Sequence, residues 1–336
     1  MKPYLVDVPV AIQAFIRPQM LQQQWAVIKE ARPSILFVRS DGPRDTVPTD
    51  AELIRQSRAI TEDIDWECTV YRLYEEKNIG MYGMMKKCPP FIWSKVDRCI
   101  FLEDDLIPSV SYFRFCAELL EKYKDDLRFE QIIGENLCGQ WPNTPDDYFF
   151  ARVPVSSGAA TWRRSYESRD RELTYAKNPY IMRHIKHHFP WYLKRQFFSY
   201  AKNGTYSNHV PGGEFFARHA ENLQNKLVIV PKYNLISNIG VGAGSTHTGK
   251  SMAALPKALH KLYSVPTHEL TFPLRHPDFI FPDIDFERVR EKQLGVASRW
   301  QNFWRNAERC LRLIFSGEGK KLLRGVKKRL HRQTEK

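Results

Sequence analysis

Short apolar runs and longer amphipathic stretches alternate over the first part of the chain. Val8 to Phe15, Ser34 to Arg39 and Glu67 to Tyr71 read as strands, and unbroken apolar runs mark strands covered on both faces. Between them, Met20 to Ala31 and Ala51 to Ile60 carry apolar residues at helical spacing. This β-α-β-α-β order predicts a largely parallel sheet with helices on its faces. Glu75 to Pro90 then holds a loop, Asn78-Ile79-Gly80, and a helix from Met81 to Lys87 that Pro89-Pro90 is expected to stop.

The next stretch organises the rest. Cys99 to Leu102 is a buried-strand run, and Glu103, Asp104 and Asp105 follow it at once. Pro108-Ser109 then open a helical-period stretch from Val110 to Tyr123. Ligands of open α/β sheets sit where strands end. Adjacent carboxylates repel one another, so a cation should offset them. A divalent ion carrying substrate phosphates fits, because Mg²⁺ takes only one or two protein carboxylates; a solvated acidic turn is the plain alternative.

Beyond this point Phe129 to Cys138 reads as a strand and Gln140 to Tyr148 as a loop. Ser156 to Arg164 is expected to open a helix, as is Pro211-Gly-Gly-Glu214, ahead of a strand from Leu227 to Val230. Asn234 to Gly249 is the most glycine-rich segment. Helices predominate after Pro273 to Pro282, which divides the chain into an α/β domain, 1–285, and a helical, basic C-terminal extension, 286–336.

Charge sharpens that division. The chain of 336 residues, long enough for a sizeable core, carries a net charge of +13. From Arg299 onward twelve Lys and Arg face three Glu, so the body is only mildly basic. That asymmetry, with no RNP or zinc signature, argues against a nucleic-acid binder. In the extension Trp300, Phe303, Trp304, Leu311, Ile314 and Phe315 interleave with cations, the composition of a helix lying on an anionic membrane. A helix pair docked on the domain is the other reading. The beginning of the chain shows no signal-peptide pattern, and no stretch reaches the ~20 apolar residues of a membrane span. The six scattered cysteines, without a CxxC pair, read as reduced thiols. A cytoplasmic protein, peripheral on the inner face of the membrane, is expected.

Four motifs in order carry a resemblance: Asn78-Ile79-Gly80, Leu102-Glu-Asp-Asp105, Ala160-Thr-Trp-Arg-Arg164, and Ser237-Asn-Ile-Gly240 with Thr246-His-Thr248. Over about residues 6 to 285 the chain resembles nucleotide-sugar glycosyltransferases of the GT-A fold. It is similar to a bacterial branch, and its acidic motif to that of eukaryotic N-acetylglucosaminyltransferases. The resemblance implies a Rossmann-like mixed sheet flanked by helices and an inverting transfer dependent on Mn²⁺ or Mg²⁺. The donor would be a nucleoside diphosphate sugar, with UDP the expected nucleotide. Acceptor identity is not implied by the resemblance, because a shared fold does not fix substrate; a glycan or lipid-linked molecule in bacterial surface polysaccharide or lipopolysaccharide synthesis is the first hypothesis.

The resemblance also distributes roles. Asp105 would ligate the metal, with Asp104 and Glu103 on ribose and metal-bound water. Asp41 would accept a hydrogen bond from the base, or be a plain turn residue; Asn78, Ser245 and Thr246 would lie on the donor side. Arg17 would touch nucleotide or phosphate, or be solvated. Glu214, where related enzymes more usually have Asp, would be the general base; a helix-N-terminal acid favoured by the dipole is the alternative. His247 would be a third metal ligand, a phosphate donor or a surface histidine. Trp162 and Arg163 would line the sugar or acceptor side, although Trp162 also suits a core anchor. Two further classes stay open: a nucleotidyltransferase, for which Ala14 to Pro18 lacks the usual glycines, and a non-catalytic membrane adaptor using the basic tail.

Overall fold

The computed structural model describes residues 1–153, 158–206, 210–241 and 252–316, the side chain of Lys186 apart. Ser245, Thr246, His247 and the end of the basic tail, 317–336, lie outside these residues. β1 (Val6–Gln13), α1 (Pro18–Ala31), β2 (Pro33–Ser40), α2 (Asp50–Ile60) and β3 (Thr69–Tyr74) follow the expected alternation, and β1, β2 and β3 pair in parallel. Next, α3 (Gly80–Trp93) returns the chain to β4 (Arg98–Leu102), parallel to the other edge of β1. Strand order therefore reverses between β1 and β4. The crevice beyond their carboxyl ends is the switch point of the sheet.

Pro89-Pro90 do not stop α3. Two backbone donors are missing there, but the last turn buries Ile92 and Trp93 in a cluster with Phe37, Ala11 and Cys99. Tertiary packing outweighs the local preference.

β5 (Leu106–Pro108) and α4 (Val110–Lys122) follow the acidic triplet; β6 (Phe129–Ile133), β7 (Tyr148–Ala151), β8 (Ala159–Trp162) and β9 (Leu227–Pro231) complete an eight-stranded sheet in the order β3-β2-β1-β4-β8-β6-β9-β7. Here β8 runs antiparallel between β4 and β6. The helix expected to open within Ser156 to Arg164 is thus largely a buried strand, and only Arg163–Glu167 (α5) is helical. Its small residues fit between two strands rather than at a helix mouth. β10 (Ile236–Asn238) pairs with β5 apart from the main sheet. The whole is a Rossmann-like mixed sheet flanked by helices.

The later helices are α6 (Pro179–His184), α7 (Trp191–Asn203), α8 (Gly213–Leu223), α9 (Lys257–His260), α10 (Ile284–Gln293) and α11 (Arg299–Phe315). The division at 285/286 falls inside α10 and is corrected by its packing. Phe286 is buried against Trp141 and Phe149, and Asp283, which caps α10, accepts from the Trp141 indole at 2.7 Å. So α10 belongs to the body, and what stands apart begins near α11.

An aromatic cluster of Tyr175, Phe189, Phe197 and Phe215 anchors α8 through His219, whose ring stacks on Tyr175 at 4.5 Å. The His219 Nε2 is buried without a partner, and burial lowers its pKa to about 4, against a smaller upward pull from Asp170. The unfolded chain therefore takes up a proton near pH 6.5 that the folded chain refuses. Stability falls as pH drops from about 6.5 to about 4, by roughly 2–3 kcal/mol from this group. His219→Phe should flatten that acid limb by the same amount in denaturant melts at pH 7 and pH 4.5; parallel limbs in both proteins would refute the assignment.

Candidate functional site

Glu103, Asp104 and Asp105 form the turn between β4 and β5, closed by the Leu106 amide donating to the Glu103 carbonyl at 3.2 Å. A glutamine on the apolar stripe of α1 fixes the turn from the side. Buried Gln24 Nε2 donates to the carbonyls of Glu103, at 2.6 Å, and Leu106, at 2.7 Å. Buried carbonyls must be paired, and one side chain serves two of them. Gln24 was missed in the sequence, although a glutamine at the helical spacing of Leu21, Trp25 and Ile28 was the signal.

Part of the cation these acids require is the protein's own. Arg17 stands between β1 and α1; its Nη1 donates to Asp104 Oδ1 at 3.2 Å and to Asp105 Oδ2 at 2.9 Å. Arg39, next to last on β2, is a second cation that sequence reasoning missed, and its charge opposes the rise in pKa of Glu103 and Asp104. An arginine ending the apolar run Ile35 to Val38 was its trace.

Burial pushes Asp104 up to about 6, with Arg17 pulling it down and Asp105 adding to the rise. Glu103 meets solvent at the mouth of the crevice but has protein on most sides. Desolvation first, then the charges of Asp105 and, less strongly, of Glu214 push it up to about 7. Glu214, in the first turn of α8, is therefore near enough for its charge to reach Glu103. Tyr82 Oη on α3 donates to the Val210 carbonyl at 2.9 Å, and Met85 packs where a Cβ on Gly212 or Gly213 would come within 3.8 Å. The mouth of α8 thus sits on α3, with Glu214 exposed.

The glycine-rich segment begins against the last acid. The Ile239 amide donates to the Asp105 carbonyl at 2.9 Å, and a Cβ on Gly240 would lie 2.0 Å from Asp105 Oδ2. Only glycine permits that approach.

Asp105 Oδ1 is buried with no hydrogen-bond partner, a condition that calls for explanation in a folded protein. Among the described residues that act on Glu103 or Asp104, these two acids with Asp105 and Glu214 outnumber the opposing guanidiniums of Arg17 and Arg39. Both features fit a divalent ion that completes its shell with phosphate oxygens and water. Among the described residues no three His, Cys, Asp or Glu side chains are arranged to hold a metal unaided.

Asp41 ends β2 at the same edge but is fully engaged by the chain. Its Oδ1 accepts from the Gly42 amide at 2.8 Å and the Ile79 amide at 2.9 Å; its Oδ2 accepts from Asn78 Nδ2 at 3.1 Å and the Gly80 amide at 2.9 Å. A carboxylate has about four acceptor sites, so none is left for a base. This corrects the base-acceptor reading: Asp41 ties the 78–80 loop to the strand end. Asn78 completes the tie by donating to the Gly42 carbonyl at 2.8 Å.

Trp162 and Arg163 also need correction. Because β8 is antiparallel, Trp162 pairs with Arg98 at the beginning of β4, the end opposite the acids. Trp162 is 3% exposed, and its indole donates to the Leu120 carbonyl at 2.9 Å. Arg163 bridges Asp97 at 2.7 Å. Gly158, which precedes β8 and lies outside the motif, is what comes near the acid turn, against Leu106 and Ile236.

No family model matches the chain, and no curated protein matches it. Among solved structures it is similar to a UDP-glucose pyrophosphorylase complexed with UDP-glucose, at 9% identity and a TM-score of 0.34, over 68% of this chain and 91% of that one.

Removing Asp41 tests its role as a tie. Asp41→Ala should cost about 2–3 kcal/mol and speed amide exchange at Ile79 and Gly80 by at least about tenfold. An unchanged melt and unchanged exchange would return Asp41 to the list of groups free to bind a ligand.

Proposed function

We propose that the protein is a metal-dependent glycosyltransferase whose donor, a nucleoside diphosphate sugar, occupies the crevice between β1 and β4. The observation that carries this reading is the acid turn at the switch point, with Asp105 Oδ1 buried and unpaired beneath an uncompensated negative charge. Asp105 and Asp104 are the residues that would hold Mn²⁺ or Mg²⁺, which when bound supplies Lewis-acid stabilisation of a leaving diphosphate. Arg17, in contact with both acids, keeps them from spreading and offers a guanidinium to phosphate oxygens. The backbone at Ile239 and Gly240 lies against Asp105 and would line the phosphate side.

Glu214 supplies the second half of the chemistry. A sugar or lipid-linked hydroxyl is a weak nucleophile until its proton is withdrawn, and a carboxylate near enough for its charge to reach Glu103 is suited to take it. Attack from the side opposite the diphosphate then gives inversion. Water is the competing nucleophile and must be kept from the bound donor. A bacterial surface glycan is the product class proposed.

A second reading is nucleotidyl transfer, in which a sugar phosphate attacks a nucleoside triphosphate and the nucleotide sugar is the product. Arg17 at the entry to α1 favours it, as a cation where a triphosphate would lie; the absence of glycine from Ala14 to Pro18 opposes it. The nucleophiles separate the two. A phosphate is already ionised and needs no base, whereas a hydroxyl does. Asp105→Asn should abolish turnover under both readings, by at least about a hundredfold. Glu214→Gln should leave nucleotide binding within about twofold while reducing glycosyl transfer by a hundredfold or more. Pyrophosphate release from nucleoside triphosphate and sugar phosphate, unaffected by Glu214→Gln, would establish the second reading. Donor binding that ignores both Mn²⁺ and Asp105→Asn would dismiss the two together.

A further inference from the structure

Helix α11 (Arg299–Phe315) is amphipathic, yet it docks by its polar face. Arg305 Nη1 donates to the Leu294 carbonyl at 2.8 Å, and Arg312 Nη1 to the Ala253 carbonyl at 3.2 Å. Glu308 accepts from the Lys257 amide at 3.1 Å and from Arg312 Nε at 2.7 Å. The apolar side chains look away from the body: Trp300, Phe303, Trp304, Leu311, Ile314 and Phe315 are between 54% and 86% exposed. At helical pitch these six fall within an arc of about 120°, opposite Arg305 and Arg312. Trp300, Phe303 and Trp304 pack on one another with centroids 5.4 to 5.9 Å apart. A surface helix ordinarily turns such a stripe to the core, and a contiguous exposed patch of this kind marks an interaction surface.

Charge identifies the partner. Residues 317–336, which continue directly from α11, contain eight Lys and Arg against two Glu. A second copy docking face to face would bring two such cationic segments together, which is unfavourable. An anionic bilayer attracts them and takes indole and phenyl rings at its headgroup level. None of the described helices is long and apolar enough to cross a membrane, so contact along the surface is the mode that fits. We infer that α11 seats the protein on an anionic lipid surface, with Trp300, Phe303 and Trp304 entering the headgroup region. This inference does not depend on the chemistry assigned to the crevice.

Co-sedimentation of the full chain with vesicles tests it. Wild type should pellet with vesicles of mixed phosphatidylglycerol and phosphatidylcholine at least about tenfold better than with phosphatidylcholine alone, and high salt should reduce the difference. The triple variant Trp300→Ser, Phe303→Ser, Trp304→Ser should lose the binding with a nearly unchanged melting temperature, since these side chains stay more than half exposed in the fold. Brominated lipid should quench wild-type tryptophan fluorescence and leave that of the variant unaffected. Three results would overturn the inference. These are equal pelleting of wild type and variant, no pelleting by either, and a concentration-dependent dimer, abolished by the three substitutions, in place of vesicle binding.

Discussion

Unbalanced negative charge at the open end of the sheet is the constraint around which the structure is arranged. Glu103, Asp104 and Asp105 occupy consecutive positions, and Glu214 approaches from α8. Left to itself, such a turn would spread into solvent. Gln24 pins its two carbonyls, Arg17 bridges two of its carboxylates, and Gly240 presses backbone against the third acid. Each device comes from a different part of the chain. Burial first, and the neighbouring carboxylates after it, raise the pKa values of Glu103 and Asp104, so the fold holds the acids together in spite of their repulsion.

Other buried acids show that crowding is not the general rule here. Glu130, with no exposed surface, receives Arg169 Nε at 2.7 Å and Lys226 Nζ at 3.0 Å, one cation for each oxygen. Asp41 receives four donors. Both acids are saturated and act as ties within the fold. Glu221 also has an oxygen without a partner, but its burial and the nearby Glu130 raise its pKa well above the usual carboxylate range. An orphaned oxygen is therefore not a binding site by itself. Asp105 differs because it lies at the switch point, beside two further acids.

The same distinction explains what was legible in the sequence. The acid triplet stood out because three charges after a buried apolar run cannot be core. The alternation of the first five elements fixed the parallel half of the sheet, and with it the edge at which Arg17, Asp41 and the triplet meet. Saturation was not legible: nothing in Asp41-Gly42-Pro43 tells that the amides of residues 79 and 80 fold back onto the carboxylate. Strand direction was not legible either. Ala159 to Trp162 read as a helix start, and only its antiparallel pairing with β4 sends Trp162 and Arg163 to the wrong end for chemistry. Gln24 and Arg39 were visible as polar residues in apolar patterns, but such residues acquire a meaning only when their partners are known.

Helix α11 extends this reasoning to apolar groups. A chain that buries Trp25, Trp66 and Phe113 almost completely does not lack the means to cover an aromatic side chain. Yet it orients α11 so that two guanidiniums and a glutamate meet the body while two indoles and four other apolar side chains face outward. Turning the helix by half a turn would bury the rings and free the arginines, an exchange that hydrophobic burial alone would favour. That the polar contacts win implies that the outward face is matched to something other than water. In the crevice a polar atom lacks its partner, and on α11 an apolar face lacks its cover. Both unsatisfied groups point outside the chain, and each grounds a proposal: a cation with phosphate for the first, lipid for the second.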